Sequence, residues 1–182
     1  MSEIASPFDV LEFWWKAGPQ KWWSTSEHFD RSVRDRFGAT HEAAVAGELD
    51  EWAENPHGAL ALIVLLDQFT RNLNRQSSAA FGQDDRALAV ARAAVDKGFD
   101  RAFPAIARSF FYLPFMHAED MAAQEACVDH CRQHGDPDNY RASLEHMDII
   151  RRFGRFPHRN KVLGRKTTDA ERRFLETGGF KG

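Results

Sequence analysis

The chain has little cysteine: two residues in 182, Cys127 and Cys131. They cannot build a disulfide framework, so a reducing, cytoplasmic setting is expected. Long apolar runs are missing as well. The longest, Gly58 to Leu66, is nine residues, too short to span a bilayer. The opening Met1-Ser2-Glu3-Ile4 has no basic stretch leading into an apolar one, so no signal peptide is expected. No segment sustains the strand-like alternation of apolar and polar residues. Gly-rich phosphate loops, Walker patterns and nucleophile–base spacings are also absent. Positive charge is not in excess: 24 Lys and Arg stand against 27 Asp and Glu, a net charge of −3. That balance argues against nucleic acid and membrane surfaces as partners. There is no low-complexity stretch, linker or repeat near 34 residues. One domain over residues 1–182 is expected.

What is present is helical signal and bulky aromatic residues, with 15 Phe and 5 Trp. Ser6-Pro7 is an N-cap followed by Pro at the first helical position, opening Phe8 to Ala17. Gly18-Pro19 closes that segment. Ser26 caps a second helix through Phe29, Val33 and Phe37, with a restart at Thr40-His41 after Gly38. Asn55-Pro56 opens a third, reaching Leu73. Ser77 and Asp84-Asp85 start a fourth, stopped by Gly98. Phe103 to Phe115 is an aromatic helix or helix pair broken near Pro114. Glu119 to Gln133 and Pro137 to Phe153 follow, separated by Gly135, and Thr168 starts a short last helix. An all-α fold of about eight helices, stacked as antiparallel hairpins, is expected.

Polar residues concentrate in three places. The third helix is apolar on every side from Leu60 to Leu66, so it should be central, yet it continues into Asp67-Gln68-Phe69-Thr70-Arg71-Asn72. Asp67 and Arg71 are i,i+4 with the acid first and can pair. The pair reads either as an ion pair pinning the helix or as part of a site, because buried charge is costly unless further bonded. The second place is His117-Ala118-Glu119-Asp120, where His117 and Asp120 can meet at i,i+3 and one of the acids can cap the next helix. The third is Arg151 to Asn160, within a stretch from Ile149 to Thr168 that holds seven Lys/Arg and no acid. From His41 to Asp67 the reverse holds, six acids and no Lys/Arg. These two stretches are expected to face each other. Arginine forks hold carboxylate or phosphate bidentately, and His146 and His158 can move protons or serve as bonded core residues. Cys127, Cys131 and His134, with His130 nearby, have helical zinc-ligand spacing. No second Cys/His pair completes that set, so neither a metal nor a cofactor is expected.

The motifs Leu66 to Asn72, Tyr112 to Asp120 and Arg152 to Asn160 with Leu163-Gly164-Arg165 resemble those of the bacterial domain-of-unknown-function 924 family. Val10-Leu11-Glu12-Phe13-Trp14, Phe37-Gly38 and the region of Leu49, Asp50 and Trp52 match as well, so the resemblance covers essentially the whole chain. It implies an all-helical, tetratricopeptide-like stack and no established activity. Thr70 stands where the family pattern usually has Pro, and Ala118 where it usually has Ser. The second difference removes a hydroxyl from the His–Glu–Asp corner, so no nucleophile is expected there.

The expected function is a polar pocket for a small anionic ligand. Its candidate acid–base residues are His117, His146, His158, Asp67 and Glu119. Its candidate ligand-binding residues are Arg71, Arg152, Arg155, Arg159, Asn160 and Arg165. Water is the expected nucleophile if the reaction is hydrolytic. The competing reading is a protein–protein interaction module using Phe13-Trp14-Trp15 and Trp22-Trp23. Exposed aromatics also make a homodimer a candidate assembly.

Overall fold

The computed structural model describes residues 4–180; the opening Met1-Ser2-Glu3 lies outside them. Every regular element in it is helical. The helices are α1 (Pro7–Ala17), α2 (Pro19–Trp22), α3 (Glu27–Ala46), α4 (Pro56–Ile63), α5 (Thr70–Leu73), α6 (Asp84–Asp96), α7 (Ala105–His117), α8 (Met121–His134), α9 (Pro137–Phe153) and α10 (Asp169–Glu176). A π turn, Val64–Phe69, joins α4 to α5 without a break. Among the described residues, no helix is long and apolar enough to cross a membrane.

Local chemistry sets the ends. Ser6 and Asp9 form a reciprocal capping box at α1, and Thr168 and Glu171 form another at α10, each satisfying two otherwise orphaned N–H groups. Asn55 and Asp136 cap α4 and α9 ahead of a first-turn proline. Gly154, at φ 68°, ends α9 in the left-handed region, which costs a glycine little. The short links 118–120 and 135–136 fold α7, α8 and α9 back as antiparallel hairpins.

Two helices run on where the sequence suggests a break. α3 continues through Gly38 to Ala46. Tertiary bonds hold its second half: Ala5 N–H donates to Thr40 Oγ1 at 2.9 Å, and His41 Nε2 lies 2.9 Å from Thr70 Oγ1. α7 also continues, with Pro114 inside it. Proline removes one ladder bond, but residues 109–116 are all buried, and packing outweighs that loss. The helix ends instead at Ala118, where Gln124 Nε2 donates to the carbonyls of Phe115, Met116 and Ala118.

α4 and the π turn are the axis of the core. Every residue from Gly58 to Thr70 is buried, and α1, α6 and α7 pack around them. Gly58 lets the turn Asp50–Glu54 lie on α4: a Cβ there would sit 2.2 Å from the Trp52 carbonyl oxygen. At one end of the core, Trp14 lies among Trp22, Phe29, Phe69 and Phe110. The aromatic N-terminal segment is thus largely spent on packing, although Trp23 stays 59% exposed. A smaller apolar cluster, Ile149, Ile150 and Phe156, with Phe153, Phe174 and Phe180 against it, anchors the C-terminal segment. The polar residues lie where that segment meets the main core.

Candidate functional site

Asp67 sits on the π turn, whose i→i+5 bonding inserts an extra residue into a helix. The segment ends with the Thr70 N–H donating to the Leu65 carbonyl. The Asp67 carboxylate is 1% exposed, and both of its oxygens are engaged. Oδ1 takes the His117 Nδ1–H at 2.7 Å and lies 2.9 Å from Arg71 Nη1. Oδ2 accepts from Gln68 Nε2 at 2.5 Å. Burial opposes ionisation of this carboxyl, but Arg71 and His117 outweigh it and hold its pKa far below the ordinary carboxylate range.

His117 is the last residue of α7, and its ring reaches back to Asp67. Burial lowers its pKa below the ordinary imidazole value and the Asp67 charge opposes that shift, so the lowered value favours the neutral ring near pH 7. Accepting the Nδ1–H at Asp67 leaves Nε2 as the basic nitrogen, and Nε2 makes no hydrogen bond among the described residues. The expected His117–Asp120 contact does not form. Ala118 leaves the helix in an extended conformation, and Asp120 caps α8 by accepting from the Ala123 N–H.

Arg159, on the 3-10 turn Pro157–Arg159, reaches the same cluster. It donates from Nη1 to Asp84 Oδ2 and from Nη2 to the His117 carbonyl, each at 3.0 Å. Its guanidinium lies over the rings of Phe81 and Phe156. Asp84 opens α6 and also lies 3.0 Å from Arg71 Nη2. Above these groups is a hollow of about 280 Å³, lined by Phe81, Asp84, His117, Glu119, Arg159 and Leu163. Two guanidiniums and two carboxylates balance at its base.

Glu119, Arg165 and Asn160 form the adjoining wall. Arg165 grips Glu119 with two bonds, 2.6 and 3.0 Å, and its Nε donates to Asn160 Oδ1. Burial would raise the Glu119 pKa, but Arg165 and the Phe156 N–H, which donates to Oε1, bring it below its ordinary value.

The other candidates stand apart. Arg155 forks onto Glu171 at 2.6 and 3.0 Å, and this bond first, then the Thr168 cap, takes the Glu171 pKa down to about 2. Arg152 lies over Phe153 and Phe174 beside a second hollow, away from His117. His146 and His158 pack under Phe180, with ring centroids at 4.5 and 5.3 Å. Burial lowers both to about 4. Cys127 and Cys131 are buried 4.0 Å apart, and His130 stacks on Tyr112. No metal-holding group of His, Cys, Asp and Glu occurs among the described residues. The acidic and basic stretches come together only at the Asp67 cluster and do not face each other along their length as expected. Arg155, Arg159 and Arg165 pair with Glu171, Asp84 and Glu119, whereas Asp50 and Glu54 pair with Arg86 and Lys97. Asp84 and Phe81 were missed by sequence reasoning. Their signal was weak: an acid at a helix start after a Phe-Gly pair.

A model of a bacterial protein family of unknown function, DUF924, matches residues 10–179. The chain belongs to the DUF924 family. A solved structure of a protein of unknown function, ATU0120 from Agrobacterium tumefaciens, is similar to it at 45% identity. The alignment covers 94% of this chain and 97% of that one, with a TM-score of 0.91. No curated protein matches. The solved structure shares the fold, and neither comparison carries an activity with it.

Proposed function

We propose that the hollow above His117 is a binding site for a small anionic ligand, and that His117 takes a proton from that ligand or from a water beside it. The observation that carries this reading is the Asp67–His117 hydrogen bond of 2.7 Å at the base of a hollow that Arg159 also lines. The pair fixes the ring, leaves Nε2 as the basic nitrogen and balances the imidazolium that proton transfer creates. Arg71 and Arg159 supply the positive charge for an oxyanion. The volume of about 280 Å³ lies at the small end of ligand pockets, so the ligand is compact. If the reaction is hydrolytic, water activated at Nε2 is the nucleophile. The reading includes no metal and no nucleic acid.

The test is a thermal-shift screen of small carboxylates and phosphomonoesters, followed by assays for turnover of any that bind. Ligands that stabilise the wild type should lose most of that effect with Arg159→Ala, and with Arg159→Lys, which keeps the charge but not the fork. His117→Gln should retain binding and lose about 10²–10⁴ in rate. A screen without a binder, or binding that survives Arg159→Ala undiminished, contradicts the reading and leaves the cluster as an ion-pair network that holds the fold.

A further inference from the structure

The two arginines of the cleft already hold an anion, and it belongs to the protein. Asp84 places Oδ1 3.0 Å from Arg71 Nη2 and Oδ2 3.0 Å from Arg159 Nη1. One carboxylate thus bridges two guanidiniums with one oxygen each. A ligand carboxylate or phosphate, with two oxygens on one central atom, fits the same bridge. Phe81 lies against both guanidiniums, which helps to keep the clamp in place whatever fills it.

Three observations mark Asp84 as the replaceable member. Asp67 is enclosed, with bonds from His117, Arg71 and Gln68, whereas the Asp84 side chain lines the hollow and is 13% exposed. Arg159 is 6% exposed, and its Nε is buried without a hydrogen-bond partner among the described residues. A buried guanidinium donor left unused is costly, and Asp84 does not relieve it. Finally, Asp84 tolerates its charge least well. Burial and the neighbouring Asp67 charge raise its pKa, against the pull of Arg71 and Arg159.

We propose that Asp84 is a resident plug: a carboxylate or phosphate ligand displaces it from Arg71 and Arg159, and the site is self-blocked until then. This rests on the anionic-ligand reading of the cleft. It also resolves the charge balance there, because moving one carboxylate aside leaves two guanidiniums facing one acid. Selectivity follows, since only a ligand with further contacts along the hollow outcompetes a tethered carboxylate.

The probes are sodium acetate and inorganic phosphate, titrated at constant ionic strength into wild type and Asp84→Ala and followed by calorimetry and melting. Asp84→Ala should bind at least one probe about tenfold or more tightly than wild type, and that probe should restore part of the melting temperature the substitution removes. Adding Arg159→Gln should abolish the gain. If Asp84→Ala does not fold, Asp84→Asn keeps the volume without the charge and should show the same gain. No gain in either variant, or a gain that persists with Arg159→Gln, overturns the plug. If wild type nevertheless takes ligands from the screen, only the plug is lost. If nothing binds to any form, the site reading falls with it.

Discussion

Asp67→Ala should destabilise the protein by about 3–5 kcal/mol, the range for removing one partner of a buried ion pair. A fall in melting temperature of about 6–20 °C corresponds to that loss in a chain of this size. The cause lies less in the lost contacts than in what they leave behind. Without the carboxylate, Arg71 keeps Asp84 and the backbone carbonyl of residue 67, while the Gln68 amide and His117 Nδ1 lose their acceptor inside the core. Asp67→Asn should cost less, since one amide oxygen can still accept. The acid limb separates the two effects. The Asp67 pKa in the folded state lies below its ordinary 3.8, so its contribution is full above about pH 4 and is lost as pH falls further. His146 and His158 fall from 6.5 to about 4. As buried neutral groups they contribute fully above pH 6.5, and that contribution is lost as pH drops towards 4. Denaturant melts from pH 8 to 3 should therefore show two successive losses in wild type. Asp67→Asn should keep the first and reduce the second, to which Glu119 and Glu171, also held below their ordinary values, still contribute. A loss below about 1 kcal/mol for Asp67→Ala would mean that the network is not under tension from burial.

Trp14→Ala should be comparably damaging, at about 3–5 kcal/mol. Trp14 is 1% exposed, and its ring centroid lies 5.6–6.1 Å from those of Phe110, Phe69, Trp22 and Phe29. Removing the indole opens a cavity where α1, α3, α7 and the π turn meet, and four aromatic rings cannot collapse into it together. Trp14→Phe should cost much less, because the indole Nε1–H is itself buried without a partner and its removal offsets part of the lost packing. Trp23→Ala, at an exposed position, should change stability by about 0.5 kcal/mol or less. Equilibrium urea denaturation of the three variants checks the order. Equal, small effects at both tryptophans would contradict the placing of this cluster at the end of the core.

Much of the fold is legible in the chain because its causes are local. Ser6-Pro7, Asn55-Pro56 and Thr168 announce helix starts through capping chemistry that acts over three residues. The unbroken apolar run at Leu60–Leu66 announces a central helix, since no polar face is left to meet water. The Asp67–Arg71 pair is also local and is found at 2.9 Å. What escapes is set at long range. Arg159 meets Asp84 across 75 positions, and nothing near Asp84 distinguishes a clamp from an ordinary acid in a first helical turn. His117 had an acid at the right spacing in Asp120, but the extended Ala118 spends that acid on a cap and turns the imidazole towards Asp67. Gly38 and Pro114 read as breaks because propensity is a local term; tertiary hydrogen bonds override it at the first and buried packing at the second. Segment charge also misleads: the basic stretch settles onto three separate acids, on α10, on α6 and in the α7–α8 link.

The most direct test of the central claim is the protonation and tautomer of His117, read from its imidazole ¹⁵N shifts near pH 7. A neutral ring with the proton on Nδ1, and an unprotonated Nε2 whose shift moves when a ligand from the screen is added, is the result predicted for a base poised in an open site. A permanently charged imidazolium, or an Nε2–H tautomer that no anion perturbs, would show that Asp67 and His117 only brace the fold.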